Sequence, residues 1–266
     1  MYATHPGATP PQEPRTRESS MPVTKTSAAA AHQSPSWLPQ HLPTISSSRI
    51  FAGLDGEEIA KALPCLDARL HSFGEGEYVL REGETTTQVY VLLEGGVNVI
   101  REDWWGNRNI ITTVAPGGTF AESYACTEGT PLAVSAVTTR ASTLLTLKAR
   151  KIMVGCSSGC PYHVRLTQNL VGDVAQHNLA LNSKLTYLSQ RSTREKLLAY
   201  LSSESMRQHS NSFDIPYNRQ QLADYLNIDR TALSRELGRM QDEGLIAFRR
   251  NHFVVHNKVM HSKGAL

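Results

Sequence analysis

Four cysteines in 266 residues, Cys65, Cys126, Cys156 and Cys160, are too few to staple a scaffold of this length. Reduced thiols or a metal site are the options left for them. Long apolar runs are missing as well. No window approaches the about 18 uninterrupted apolar residues of a membrane span, and Ala28 to Ala31 falls short of the ~7 to 15 residues of a signal-peptide core. A soluble cytoplasmic protein with no membrane partner is the expectation. Aromatic residues are 7% and charged residues 19% of a chain that is 40% hydrophobic, which excludes collagen, coiled-coil rods and wholly disordered chains. At this length two ordinary domains are expected.

Proline is scarce except at one end. Residues 1–48 hold eight of the thirteen prolines in a Ser/Thr/Ala background without apolar periodicity, so they read as a disordered tail, with Met21 an alternative start. The net charge of +3 is also uneven: residues 49–190 hold 12 Lys/Arg and 14 Asp/Glu, whereas residues 191–266 hold 12 and 8. The basic C-terminal part points to a polyanionic partner, and needs a motif behind it.

From Ile50 the texture becomes ordered. Phe51, Leu54 and Ile59 surround Asp55-Gly-Glu-Glu, a short helix start with acidic residues in its first turn. Short β-rich runs follow over 69–73, 78–81, 89–93, 97–101, 110–114, 135–138 and 144–147, with glycines such as Gly74, Gly76, Gly83, Gly95, Gly96, Gly117 and Gly118 between them. Many short strands without intervening helices predict an antiparallel jelly roll over 49–160. Beyond Pro161 the period turns helical. Leu166, Leu170, Val174, Leu181, Leu185 and Leu188 predict one long helix over 161–191, whose narrow apolar stripe fits pairing with a twin or packing on the jelly roll.

Ser192-Thr-Arg-Glu195 is a capping box that opens a separate domain, 192–256. Asn218 caps a helix over 219–226, and Asp229 caps a longer one over 230–243 that ends at Gly244. A two-stranded wing, 245–249 and 252–256, turns at Arg250-Asn251, and residues 257–266 form a flexible tail. The second helix carries Arg230, Thr231, Ser234 and Arg235 at spacings that suit base edges in a major groove. Arg219 and Gln220 begin the preceding helix, where side chains and free amides suit a phosphate. The competing reading is a small interaction domain with a solvated basic face.

The stretch Asn218-Arg-Gln-Gln-Leu-Ala-Asp-Tyr-Leu-Asn-Ile-Asp-Arg-Thr-Ala-Leu-Ser-Arg-Glu-Leu-Gly-Arg-Met-Gln-Asp-Glu-Gly-Leu-Ile246 resembles the DNA-binding helices of the CRP/FNR transcription regulators. Phe73-Gly-Glu-Gly-Glu-Tyr-Val-Leu-Arg-Glu-Gly-Glu84 resembles that family's early sensor strands, and Gly117-Gly-Thr-Phe-Ala-Glu122 the start of its nucleotide-phosphate segment. The resemblance covers about residues 50–256. It implies an α+β protein: a cyclic-nucleotide-binding-like jelly roll, a long dimerisation helix and a winged helix-turn-helix. The implied partners are double-stranded DNA, a second copy of the chain, RNA polymerase if the protein activates, and a small-molecule effector of unknown identity.

The effector segment departs from the family pattern. Glu122 is present, but Ala121 replaces a glycine, Leu132 and Ala133 stand where the cyclic-nucleotide binders carry Arg and Ser/Thr, and Ala180 and Leu181 fall at the base-contacting positions. Binding of cAMP in the usual way is therefore not expected, since the phosphate would lose its guanidinium. Glu122 and Tyr124 are the effector-site candidates, and no cofactor is assigned. A second sensor reading uses Cys126 with Cys156-x3-Cys160-x2-His163, soft ligands competent for zinc, an Fe–S cluster or haem iron, set against buried or incidental thiols. Their spacing matches none of the metal-sensing relatives. Gly155-Cys-Ser157-Ser-Gly159 satisfies a hydrolase elbow, but that motif requires a parallel α/β sheet, so Ser157 as a nucleophile is a remote alternative and a non-enzyme is expected. Trp104 and Trp105 are placed in a hairpin loop.

Overall fold

A computed structural model of the chain describes residues 35–102, 104, 108–155 and 160–256. The expected tails before residue 35 and after 256, together with Trp105, Cys156 and Ser157, lie outside the described residues. Two helices come first, α1 (Leu38–Ser47) and α2 (Gly56–Cys65), separated by a single 3-10 turn. Helix α1 corrects the disordered-tail reading of 1–48 over its last residues, 38–47, because Leu38 and Ile45 are buried in the sensor core. Pro39 sits at the start of this helix, where its missing N–H costs nothing. Proline content therefore misled as a sign of disorder. At α2 the side chain of Asp55 accepts from the Glu57 and Glu58 amides while Glu58 accepts from the Asp55 amide, a complete capping box.

The sheet comprises β1 (Arg69–Phe73), β2 (Tyr78–Leu80), β3 (Gln88–Glu102), β4 (Arg108–Val114), β5 (Thr119–Phe120) and β6 (Ser135–Lys148), with α3 (Glu122–Cys126) between the last two. All pairings are antiparallel, in the order β1-β6-β3-β4, with β2 against β6 and β5 against β3. This is not the parallel sheet that a nucleophile elbow needs. Two pairs of runs expected as separate strands are continuous, because Gly95 and Gly96 make a bulge in β3 rather than a turn. The reason is close approach: a Cβ on Gly95, at φ 96°, would lie 2.1 Å from Ser142 Oγ and 2.6 Å from the Ala141 carbonyl oxygen.

Alternation along the strands sorts two cores. Leu92, Val97, Val114, Phe120 and Leu144 point into the roll, whereas Val89, Val91, Leu93, Leu145 and Leu147 face the helices. The covering helices include α4 (Ala149–Val154) and α5 (Tyr162–Leu188), the latter 27 residues and about 40 Å long. The stripe read from sequence divides along α5. Leu166, Leu170 and Val174 pack on the sensor core, while Leu181 and Leu185 remain 46% and 63% exposed, beside exposed Val164, Val171 and Leu179.

The C-terminal unit is α6 (Thr193–Arg207), β7 (Ser212–Asp214), α7 (Arg219–Leu226), α8 (Arg230–Asp242), β8 (Ile246–Arg249) and β9 (His252–Val255). The wing has a third strand that the sequence reading omitted, since β7 pairs with β9. Leu197, Tyr200, Leu222, Leu233, Leu237 and Phe253 form a core that also takes in Ile100 and Ile110 from the sensor sheet. Among the described residues no helix is long and apolar enough to cross a membrane.

Candidate functional sites

Helix α8 has its apolar face anchored by Leu233, Leu237 and Met240, each fully buried. That packing turns Arg230, Thr231, Ser234 and Arg235 outward, all exposed, with Arg239 beside them. Asp229 accepts from the Ala232 amide at 2.9 Å and caps the helix, and Asn227, at φ 50°, turns the chain into it from α7. Among the described residues, Arg230 and Arg235 have no ion-pair partner. Glu236 of α8 and Glu243 just after it are engaged by other residues, Glu236 also by Arg239 at 3.6 Å. Arg194 of α6 donates from Nε to Glu236 at 2.5 Å and grips both oxygens of Glu243 at 2.7 and 2.9 Å. The outward face is left cationic.

Arg219 is half-buried, with its guanidinium 4.5 Å from the Phe248 ring centre and 5.5 Å from that of Phe253, so it holds the wing against α7. Gln220 is exposed and donates to Asp224 at 2.8 Å. Arg249 and Arg250 add exposed charge at the wing turn, where the sequence reading noted only the turn itself.

The second site is a cavity of about 760 Å³ between the roll, α5 and the DNA-binding unit. Both Glu122 and Tyr124 line it. Glu122 opens α3 directly after Ala121, which takes the left-handed φ of 65° that a glycine would adopt without strain. Glu122 is 5% exposed; its Oε1 lies 2.7 Å from His177 Nδ1, and Oε2 is buried with no hydrogen-bond partner. Glu122 holds the His177 imidazole above its ordinary pKa by hydrogen bond and charge, against the opposing effect of burial. Tyr124 uses its hydroxyl to accept from the Ala133 amide at 3.2 Å. Leu132 is buried in the apolar cluster of the roll, and Ala180 and Leu181 also line the cavity.

Two charged residues of α5, Asp173 and Lys184, are buried. Asp173 accepts a hydrogen bond from Thr119. Lys184 donates to the Ile110 and Ile111 carbonyls and lies 4.1 Å from the Tyr225 ring centre, spanning sensor and α7. Burial lowers its pKa to about 8. No local signal marks His177 or Lys184, because their partners lie 55 and 74 residues away.

The expected thiol cluster is only partly assembled. Cys160 and His163 come together with Cys65 rather than with Cys126, which sits half-buried at the edge of the sensor core. Burial and the nearby Glu122 charge push the Cys126 thiol pKa up, the opposite of activation.

A sensor roll joined by a long helix to a winged helix-turn-helix is the construction of a DNA-binding transcription regulator. Residues 70–156 match the family model of the cyclic nucleotide-binding domain, and residues 195–259 that of the Crp-like helix-turn-helix domain. With both domains in this order, the chain belongs to the CRP/FNR family of transcriptional regulators. Its fold is similar to that of FixK2 from Bradyrhizobium japonicum, with 20% identity and a TM-score of 0.57 over 73% of this chain and 96% of that one. It is also similar to the c-di-GMP responsive global regulator CLP of Xanthomonas campestris, with 18% identity and a TM-score of 0.61 over 76% and 100%. A CRP/FNR-family regulator from Thermus thermophilus gives 19% identity and a TM-score of 0.52 over 74% and 100%. No curated protein matches the chain in sequence.

Proposed function

We propose that the protein works as a homodimer that reads a two-fold operator through α8 and is governed by a small molecule in the cavity beneath α5. The observation that carries the DNA half of this reading is the unpaired cationic face of α8. Arg230 and Arg235 there can each take the paired acceptors of a guanine, Thr231 can touch a base methyl or hydroxyl partner, and Ser234 is adaptable. Gln220, the wing arginines and the amides at the start of α7 suit phosphates. Dimerisation through exposed Leu181 and Leu185 would set two copies of α8 in successive major grooves, ~34 Å apart.

For the effector, the supporting observation is the buried, partnerless Glu122 Oε2, which favours a ligand presenting a hydroxyl or amine donor. Leu132 stands where a guanidinium would meet a cyclic phosphate, so the ligand is not cAMP held in the family's usual way. The cavity is lined by Arg207 of α6 and Tyr225 of α7 as well as by the sensor, so an occupant that fits one arrangement better shifts the population of α8 orientations. Calorimetry with cAMP and selection of operator DNA from a random pool, run on the full chain, test the two halves separately. Micromolar or tighter cAMP binding would overturn the effector reading. Uniform binding to all sequences, varying only with salt, would overturn the operator reading.

A further inference from the structure

Beyond the cavity, a second group of side chains has the chemistry of a ligand site. Cys65 ends α2, Cys160 lies two residues before α5, and His163 occupies the first turn of α5; one ligand atom from each falls within 4.8 Å of the others. His163 is 6% exposed, yet neither of its ring nitrogens has a hydrogen-bond partner. A buried imidazole with both nitrogens unsatisfied is costly, because each loses its hydrogen bond to water without gaining another. The ring instead shares its surroundings with two thiols. The Tyr162 hydroxyl donates to the Lys61 carbonyl at 3.2 Å and lies 3.7 Å from Cys65 Sγ, where it could turn to support a thiolate.

We propose that Cys65, Cys160 and His163 form a metal site for a thiolate- and imidazole-binding cation, zinc by its donor chemistry. Two sulfurs and one nitrogen are borderline-soft donors that select zinc over magnesium or calcium, and donors around tetrahedral zinc stand roughly 3.5 to 3.8 Å apart, within reach of small side-chain rotations from the present spacing. Such an ion would join the end of α2 to the start of α5, the helix that leads to the DNA-binding unit. Binding displaces the two thiol protons to solvent, leaving both sulfurs as thiolates and the imidazole neutral. This site is separate from the cavity and does not depend on the effector reading.

Titrating the reduced, metal-free full chain with Co(II) provides the test. The expected result is saturation near one equivalent, with visible bands of tetrahedral cobalt, a near-ultraviolet thiolate-to-cobalt band and proton release. Cys65→Ser and Cys160→Ser should each remove a large part of the thiolate band, and His163→Gln should weaken Co(II) binding by roughly a hundredfold. Cys126→Ser should change nothing. Circular dichroism of each apo variant separates lost binding from lost folding. X-ray absorption at the zinc edge on the wild-type chain reads the donors without any substitution, and at least two sulfurs with an imidazole nitrogen are expected. Absence of Co(II) binding by the wild type, bands that survive Cys65→Ser, or a zinc shell lacking sulfur or imidazole would overturn the assignment.

Discussion

The outward face of α8 and the cavity beneath α5 treat charge in opposite ways. On α8 Arg230 and Arg235 point into solvent while Glu236 and the following Glu243 are held by Arg194, so the surface can take a polyanion without first breaking an ion pair of those two arginines. Around the cavity, His177 is paired with Glu122, Asp173 is bonded to Thr119, and Lys184 is bonded to backbone carbonyls. An entering ligand must compete with those partners or use an atom left without one, such as the buried Glu122 Oε2. A convex site gains from unpaired charge because water solvates it until the partner arrives; a concave one cannot, because burial penalises each unpaired group.

The comparison breaks most severely if the proposed dimer, with its two copies of α8, is split. Leu181→Glu with Leu185→Glu places charge on the exposed apolar positions of α5, and sedimentation should show monomers whose operator affinity falls by about 10²- to 10⁴-fold. An unchanged dimer would move the pairing surface elsewhere. Next in size, Arg235→Ala should cost about 1 to 3 kcal/mol per half-site in fluorescence anisotropy and relax discrimination at one base pair. Equal loss on random DNA would reduce Arg235 to a phosphate contact.

Smaller effects sharpen the contrast from the supporting side. Arg194→Ala should lower thermal stability by about 1 kcal/mol, as the network is only partly buried, and it should also weaken operator binding by freeing Glu236 and Glu243 near the DNA. Binding that improves instead would show that those carboxylates do not oppose DNA. Finally, His177 gives the sensor a mild pH dependence. Its folded pKa lies above the unfolded value, so the Glu122 pair is fully stabilising below the ordinary histidine range and is lost as pH rises through the elevated pKa. Arg49 opposes and Asp173 reinforces that shift. Melting curves across this window should fall with pH in the wild type and flatten in His177→Asn; parallel curves would remove the pair from the stability of the roll.

Much of the DNA-binding unit was legible because its information is local. Capping residues Ser192, Asn218 and Asp229 stand immediately before the helices they start, and the spacing of Leu233, Leu237 and Met240 already turns Arg230 and Arg235 outward. The sensor strands were legible in outline, but Gly95 and Gly96 carry the local signature of a turn, and only the close approach of Ser142 makes them a bulge. Helix α1 is hidden in the sequence because its prolines resemble those of a flexible tail, whereas the Leu38 and Ile45 pair that docks it finds its partners only in the sensor core.

By itself, then, the sequence determined the helices of the C-terminal unit, the outward basic face of α8 and the departure at Leu132, since each depends on residue type at short spacing. Only the tertiary structure decided that Glu122 meets His177, that Lys184 spans to Tyr225, and that Cys160 and His163 find Cys65 rather than Cys126. Those pairings join segments tens of residues apart, and it is the packing of α5 against the roll and α2 that selects one partner among many of the same chemical type.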